Sequence, residues 1–360
     1  MDREISFYKN FKCLADKCPD TCCRGWEILV DDATAKELSG SRELRRHVKN
    51  RDGDVLIKRS FGKCHFETKE GLCELEKSGR VNLMPLVCRE YPRRMLGFGE
   101  FTEMTMELAC PEAARLFIEF AGARNIKLVE AEKSHPVIWT MGNDDKEYLD
   151  FLICSREDIM GLLDSEEHTL LQKQSQIMEY AKAVMEYLMR DNLEGAKKLS
   201  VFDFAQNATQ YLYYPFEKLD SIVVNGLYAD NLLWDNKKLF QLIRRYHKIF
   251  DKLTASQAQE VMSQAIEHLL IKYEHIMDKY TEYFRYILLE MYLTSYENYL
   301  VTRPIQQAII YTELLMVMDC VEYITTGELS DESQVKVLSC LERRVRHSQS
   351  LTDYIFETLR

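Results

Sequence analysis

The sequence predicts a mainly α protein: a small Cys-rich α+β metal-binding N-terminal domain, then a larger all-α helical domain. Three observations carry this. Eight of the eleven cysteines fall between Cys13 and Cys110. Short, irregular segments fill the same stretch, whereas apolar residues recur at helical spacing almost everywhere beyond it. Past Pro136 the only prolines are Pro215 and Pro304, each expected at a break between helices. The expected division is residues 1–125 for the Cys-rich domain, 126–144 for a connector and 145–360 for the helical domain.

In chain order, Glu27–Val30 reads as a short strand, Asp31 or Asp32 as an N-cap, and Ala33–Leu38 as a turn or two of helix. Asp54–Lys58 suits a second strand. Cys64–Leu75, with Gly71 near its middle, suits a hairpin. Glu100–Met106 alternates like a strand, and Pro111 sits where a helix accepts proline best. Further on, Leu170, Ile177, Ala181, Val184 and Leu188 share one helix face, as do Val261, Ala265, Leu269 and Tyr273. Gly327 ends one helix and Ser330 starts the last. No fixed-period repeat and no low-complexity run interrupts this.

Composition excludes several classes. With 46% hydrophobic and 29% charged residues, wholesale disorder is excluded. The start, MDREISFYKN, lacks the apolar stretch of a signal peptide. The most apolar segment, YFRYILLEMYL, still carries Arg285 and Glu290, so no membrane span is expected and the chain reads as cytoplasmic. The net charge of −11 is uneven: residues 1–110 hold 20 Lys+Arg against 19 Asp+Glu. The rest is strongly acidic, which argues against nucleic acid as a partner.

The cysteines form a ladder, Cys13-x4-Cys18-x3-Cys22-Cys23, then Cys64-x8-Cys73-x14-Cys88, then Cys110. In a reducing compartment such crowding points to metal or catalysis rather than disulfides. Thiolates select zinc, copper(I) or iron–sulfur clusters. Eight thiols suit two four-thiolate sites, or one site with spare or redox cysteines. Neighbouring side chains point apart in extended chain, so Cys22 and Cys23 serve two centres or lie in a tight turn. The ladder lacks the paired C-x2-C knuckles of zinc ribbons and matches no ordinary ferredoxin run.

Four pieces within about residues 8–120 carry a resemblance: CCRGWEI with the acidic turn DD after it, CHFETKEGLCEL, CREYPRR and LACPEAARL. They resemble the eight-cysteine C-x-x-x-C-x-x-C-C class of zinc- or iron-chelating domains. Within that class the chain resembles the flagellin lysine N-methylase (FliB) family, although four and three residues separate its first cysteines. The resemblance implies a metal centre, with a 4Fe-4S cluster favoured over zinc. It also implies methyl transfer from S-adenosylmethionine to lysines of flagellin or another lysine-bearing protein.

Other residues are read beside this. Trp26 is placed to stack on an adenine or face a sulfonium, or else to pack over the metal site. Arg89, with Arg93 and Arg94, surrounds Cys88; its guanidinium suits a carboxylate such as methionine's, or simple structural pairing. His65 is an alternative ligand beside Cys64. The aromatic run Tyr280–Tyr299 suits a lysine ammonium or plain core packing. Within it, Glu290 and Tyr286 are the candidate catalytic residues. No strand–GxGxxG–helix unit is present, so a Rossmann-type methyltransferase domain is not expected. The rival readings are a non-catalytic iron–sulfur or zinc redox/binding module with a partner-docking helical domain, and a purely structural zinc fold.

Overall fold

The computed structural model describes residues 1–24, 26–60, 62–133, 137–205, 212–228 and 236–359. The chain opens with strand β1 (Arg3–Ile5) and two 3-10 turns, Tyr8–Asn10 and Ala15–Lys17, that lead into the first cysteines. Helix α1 (Asp32–Gly40) starts where Asp31 accepts the Thr34 amide at 3.1 Å. The ribbon of β2 (Val48–Arg51) and β3 (Asp54–Ile57) follows, with the smaller pair β4 (Arg59–Ser60) and β5 (Lys63–Cys64). Glu27–Val30, expected as a strand, forms only an isolated bridge of Leu29 to Leu56. It still lies along β3, because Val30 donates to Val55 and Ile57 to Ile28.

The expected hairpin at Cys64–Leu75 is a tight turn: the Thr68 carbonyl accepts from the Gly71 amide, and the Thr68 amide donates to the Leu72 carbonyl. Gly71 takes φ 82, a conformation that favours glycine. The second arm then becomes helix α2 (Glu74–Lys77) rather than a strand. After α3 (Leu86–Glu90) come β6 (Arg93–Gly97) and β7 (Thr102–Met106), then α4 (Pro111–Gly122) with its proline in the first turn. Alternation in β7 predicts one wet face, yet all five of its residues are buried. Both faces of this central strand are covered.

Two short strands, β8 (Leu128–Glu130) and β9 (Trp139–Thr140), complete a five-stranded sheet of order β8-β1-β7-β6-β9. The stretch 126–144, expected as a connector, therefore supplies both sheet edges. Nothing in their two or three residues distinguishes them from loop by periodicity.

The remainder is helical: α5 (Lys146–Asp164), α6 (Leu170–Leu188), α7 (Leu193–Ala196), α8 (Phe216–Ser221), α9 (Lys237–Phe250), α10 (Ala255–Lys272), α11 (Ile276–Met291), α12 (Thr302–Thr326), α13 (Asp331–Val345) and α14 (Gln349–Leu359). The fold is mainly α. Pro215 precedes α8, and Pro304 sits in the first turn of α12. Gly327, left-handed at φ 79, ends α12, and Ser330 caps α13. One more helix follows, so Ser330 does not start the last one. Apolar nearly all round, α12 lies at the centre against α6, α9, α10, α11 and α13. No described helix is long and apolar enough to cross a membrane.

Apolar packing divides into two cores. The larger runs from Ile5, Met95 and Met104 on the sheet, with Phe7 just past β1, through α4 into all the long helices. The smaller gathers Cys23, Ile28, Leu38, Ile57, Cys64, Phe66 and Leu75. The line between them runs inside residues 1–125: the sheet and α4 pack with the helices, and the loops from Cys23 to Met84 pack with one another.

Candidate metal centre and adjoining cleft

Short local structures bring the early cysteines round one space. Cys18 follows the 3-10 turn Ala15–Lys17, and Cys64 ends β5. Cys73 and Cys110 are the N-cap residues of α2 and α4, and Cys88 lies within α3. All eight, Cys13, Cys18, Cys22, Cys23, Cys64, Cys73, Cys88 and Cys110, line a single cavity of ≈510 Å³. None is in a disulfide. His65 instead bonds Ser60 at 2.8 Å and is absent from the cavity wall.

Electrostatics are set by the vicinal pair. Thiol hydrogen bonds from Cys22 and then Cys64 hold Cys23 well below the usual thiol range, while Cys22 and Cys64 are pushed up by sharing their protons with it. Burial raises Cys18, Cys73 and Cys88, and raises Cys110 to about 11. The thiols raised in this way are neutral by themselves, and a thiophilic cation is what favours their anionic form. Among the described residues, no three Cys, His, Asp or Glu side chains gather tightly enough to hold a metal ion.

Trp26 divides this cavity from a second. Its ring stacks between Tyr91 at 5.8 Å and His347 at 5.9 Å, and its indole N–H donates to the Cys22 carbonyl at 2.9 Å. The second space is a cleft of ≈850 Å³ that shares Trp26, Tyr91 and Arg93 with the first. Arg94, Glu107, Arg346 and His347 line it, from β6, the end of β7 and the end of α13. Burial works to raise Glu107, but the charges of His347, Arg346 and Arg94 hold it below the ordinary carboxylate value; burial lowers His347.

The remaining sequence candidates fall in different places. Arg89 is exposed on the wall of the cysteine cavity. Arg93 lies over the rings of Tyr8 and Phe11. Glu290 is buried beneath the cleft, and its Oε1 accepts from Arg94 and from Arg346, each at 2.6 Å. Tyr286 is buried in the large core, where its hydroxyl accepts the Met106 amide at 3.0 Å and donates to the Met106 carbonyl. Both are spent on these partners. Glu107, Arg346 and His347 were missed in the sequence; the run Glu342-Arg-Arg-Val-Arg-His347 was the available signal, and nothing in it pointed to residue 107.

A further link ties the two cores together. Asp20, in the cysteine loop, accepts from Arg343 at 3.0 Å and faces Lys238 at 3.6 Å, while Lys238 donates to the Pro19 carbonyl.

Three comparisons bear on this geometry. The flagellar biosynthetic protein FliU of Salmonella muenchen is 22% identical over 157 residues, 40% of this chain and 93% of that protein. The lysine-N-methylases of Salmonella choleraesuis (strain SC-B67) and Salmonella typhimurium (strain LT2) are each 26% identical over 121 residues. The chain is distantly related to the lysine-N-methylases. The match spans 30% of this chain and about 30% of each lysine-N-methylase. No protein-family profile matches the chain, and no solved structure does.

Proposed function

We propose that the chain is a protein-lysine N-methyltransferase that takes its methyl group from S-adenosylmethionine and holds an iron–sulfur cluster in the cysteine cavity. The observation that carries this is the convergence of eight free thiols on one cavity, separated by a tryptophan from an aromatic- and charge-lined cleft. The relatives' names supply the reaction class. Flagellin, or another protein presenting lysine, is the proposed acceptor, in the cytoplasm.

The residues fit a sulfide cluster better than a lone zinc ion. Zinc draws four thiolates to about 2.3 Å, a tight group, whereas a polynuclear cluster spreads its thiolates over a wider shell. Eight thiols round ≈510 Å³ suit the wider shell. The charge of Cys23 acts on Cys22, Cys64, Cys73 and Cys88, and Cys13 and Cys18 act on Cys110. When bound, such a cluster supplies a centre able to accept an electron or polarise a ligand.

The chain's own residues do the positioning. Trp26 and Arg89 are the proposed donor contacts: an aromatic face for the adenine or sulfonium, a guanidinium for the methionine carboxylate. Glu290 fixes Arg94 and Arg346 at the cleft floor instead of meeting the amine. The reaction itself needs a lysine nitrogen in line with the sulfonium methyl and shielded from water.

Anaerobically purified protein tests this. Iron and acid-labile sulfide are expected in the preparation, and labelled S-adenosylmethionine is expected to label flagellin lysines. Retention of the cluster with neither donor binding nor transfer would leave the non-catalytic redox or binding module standing in its place.

A further inference from the structure

One carboxylate oxygen in the cleft has nothing to bond. Glu107 follows β7, where its amide donates to the Pro92 carbonyl and fixes the direction of its side chain. Its Oε2 is buried and accepts no hydrogen bond. The imidazole of His347 faces it, but its Nε2 stands 4.0 Å away, beyond hydrogen-bond reach. Buried carboxylate oxygens are nearly always satisfied, because leaving one dry is costly. The side chain as a whole is 15% exposed and lines a cleft of ≈850 Å³, so a rotation about its last bond turns this oxygen to a donor from outside.

The arginines in the same walls act on Glu107 only through space and make their close contacts elsewhere. Arg94 and Arg346 both bond Glu290. Arg303 lies over the Phe356 ring at 4.6 Å, and Arg93 over Tyr8 and Phe11. Four rings, Trp26, Tyr91, Trp139 and Tyr311, stand in the wall beside aliphatic residues such as Ile138 and Leu300. A free carboxylate oxygen beside aromatic faces suits a compact cation that donates several hydrogen bonds and keeps its charge when methylated.

We propose that Glu107 docks a primary alkylammonium group in this cleft. The inference rests on the methyltransferase reading for the identity of the amine, and that reading offers two sources. One is the side chain of an acceptor lysine; the other is the α-ammonium of the sulfonium donor. Trp26 and Tyr91 wall both the cleft and the cysteine cavity, so a group held at Glu107 lies one aromatic layer from the thiols.

Calorimetric titration of the full-length, metal-loaded protein separates the sources. The probes are Nα-acetyl-lysinamide and S-adenosylhomocysteine, with Nα-acetyl-norleucinamide as the uncharged control. Glu107→Gln is expected to weaken one of the two charged probes about tenfold or more, with part of the affinity restored in Glu107→Asp. Loss confined to the lysine probe assigns the site to the acceptor; loss confined to S-adenosylhomocysteine assigns it to the donor. Unchanged affinity for both, or binding of neither by the wild-type protein, overturns the proposal.

Should Glu107→Gln fail to fold, Gln349→Trp decides, because Gln349 is an exposed residue of the same wall. It is expected to weaken the same probe by obstruction, and undiminished binding of both probes overturns the proposal. Glu107-dependent binding without any methyl transfer would sink the enzyme reading alone. Transfer by Glu107→Gln at wild-type KM and kcat would sink this inference alone.

Discussion

The two cores of this molecule are held by different forces. The large one buries whole helices: α12 is apolar nearly all round, and tyrosines such as Tyr283, Tyr286 and Tyr292 are fully enclosed. Among the described residues the small one buries eleven apolar side chains, two of them the cysteines Cys23 and Cys64. Its strands are two to four residues long, and its helices α1, α2 and α3 span nine, four and five. So little apolar area seldom offsets the entropy of ordering some sixty residues of loop. The difference teaches that the large core stands by packing, whereas the small one is short of apolar area, which the metal proposed at its thiols would offset.

The largest expected effect breaks that comparison directly. Removing the metal with a chelator, or replacing Cys23 by Ser, is expected to open the small core while the helices persist. Limited proteolysis should then show new cuts between residues 12 and 90, with far-ultraviolet circular dichroism nearly unchanged. An unaltered cutting pattern in metal-free protein would mean that the loops stand alone.

Second comes a test inside the large core. Arg156 on α5 reaches across to Glu103 on β7 with two bonds, at 2.5 and 2.7 Å, and to the Leu289 carbonyl at 3.1 Å. Both side chains are about 95% buried. Arg156→Ala leaves Glu103 charged and buried with only a longer contact to Arg3, so a loss of about 3–5 kcal/mol is expected from urea unfolding. A loss below about 1 kcal/mol would show that the sheet is not clamped to α5 by this pair.

How much of this was legible in the sequence follows from how local each signal is. The cysteine wall was, because pairs such as Cys22–Cys23 and caps such as Cys73 and Cys110 sit in short, self-contained turns. The helices were, since Ile177, Ala181 and Val184 keep a 3.6-residue period whatever they pack against. The sheet was legible only at β7: β1, β8 and β9 are too short to alternate, and β1 finds β7 and β8 a hundred or more residues away. The cleft was not legible. Glu107 and His347 are 240 positions apart, and only tertiary packing sets them face to face.

A third, smaller effect concerns acids buried between helices. Burial raises Glu313 to about 8, against the hydrogen bonds it accepts from the Tyr213 and Tyr214 amides. A carboxyl whose folded value lies above its unfolded one binds a proton in the folded state that the unfolded chain has released. Its contribution to stability is complete below about pH 4.5 and is lost as pH rises towards 8. Glu313→Gln keeps an acceptor without the charge, and is expected to flatten the fall in urea midpoint between pH 5 and 8 by the equivalent of about 1–3 kcal/mol. The same slope in both proteins would remove Glu313 as its source.

The smallest effect probes what joins the two cores. Asp20 carries the cysteine loop onto Arg343 of α13 and Lys238 of α9, and Arg343 is 94% buried. Asp20→Ala strips a buried guanidinium of this partner, which costs about 1–2 kcal/mol. That should lower the thermal midpoint by about 2–4 °C per kcal/mol. If the clasp steadies the loop that bears Cys18, Cys22 and Cys23, metal should also pass to a chelator several-fold faster than from the wild-type protein. Arg51→Ala is the matched control: it breaks a pair with Glu27 that is about half exposed on both sides, and an exposed pair contributes at most about 1 kcal/mol. Both substitutions fall within the Cys-rich part of the chain, but only Asp20 touches the helices. Equal metal release from the two variants would mean that the helical core and the thiol cavity are neighbours without being coupled.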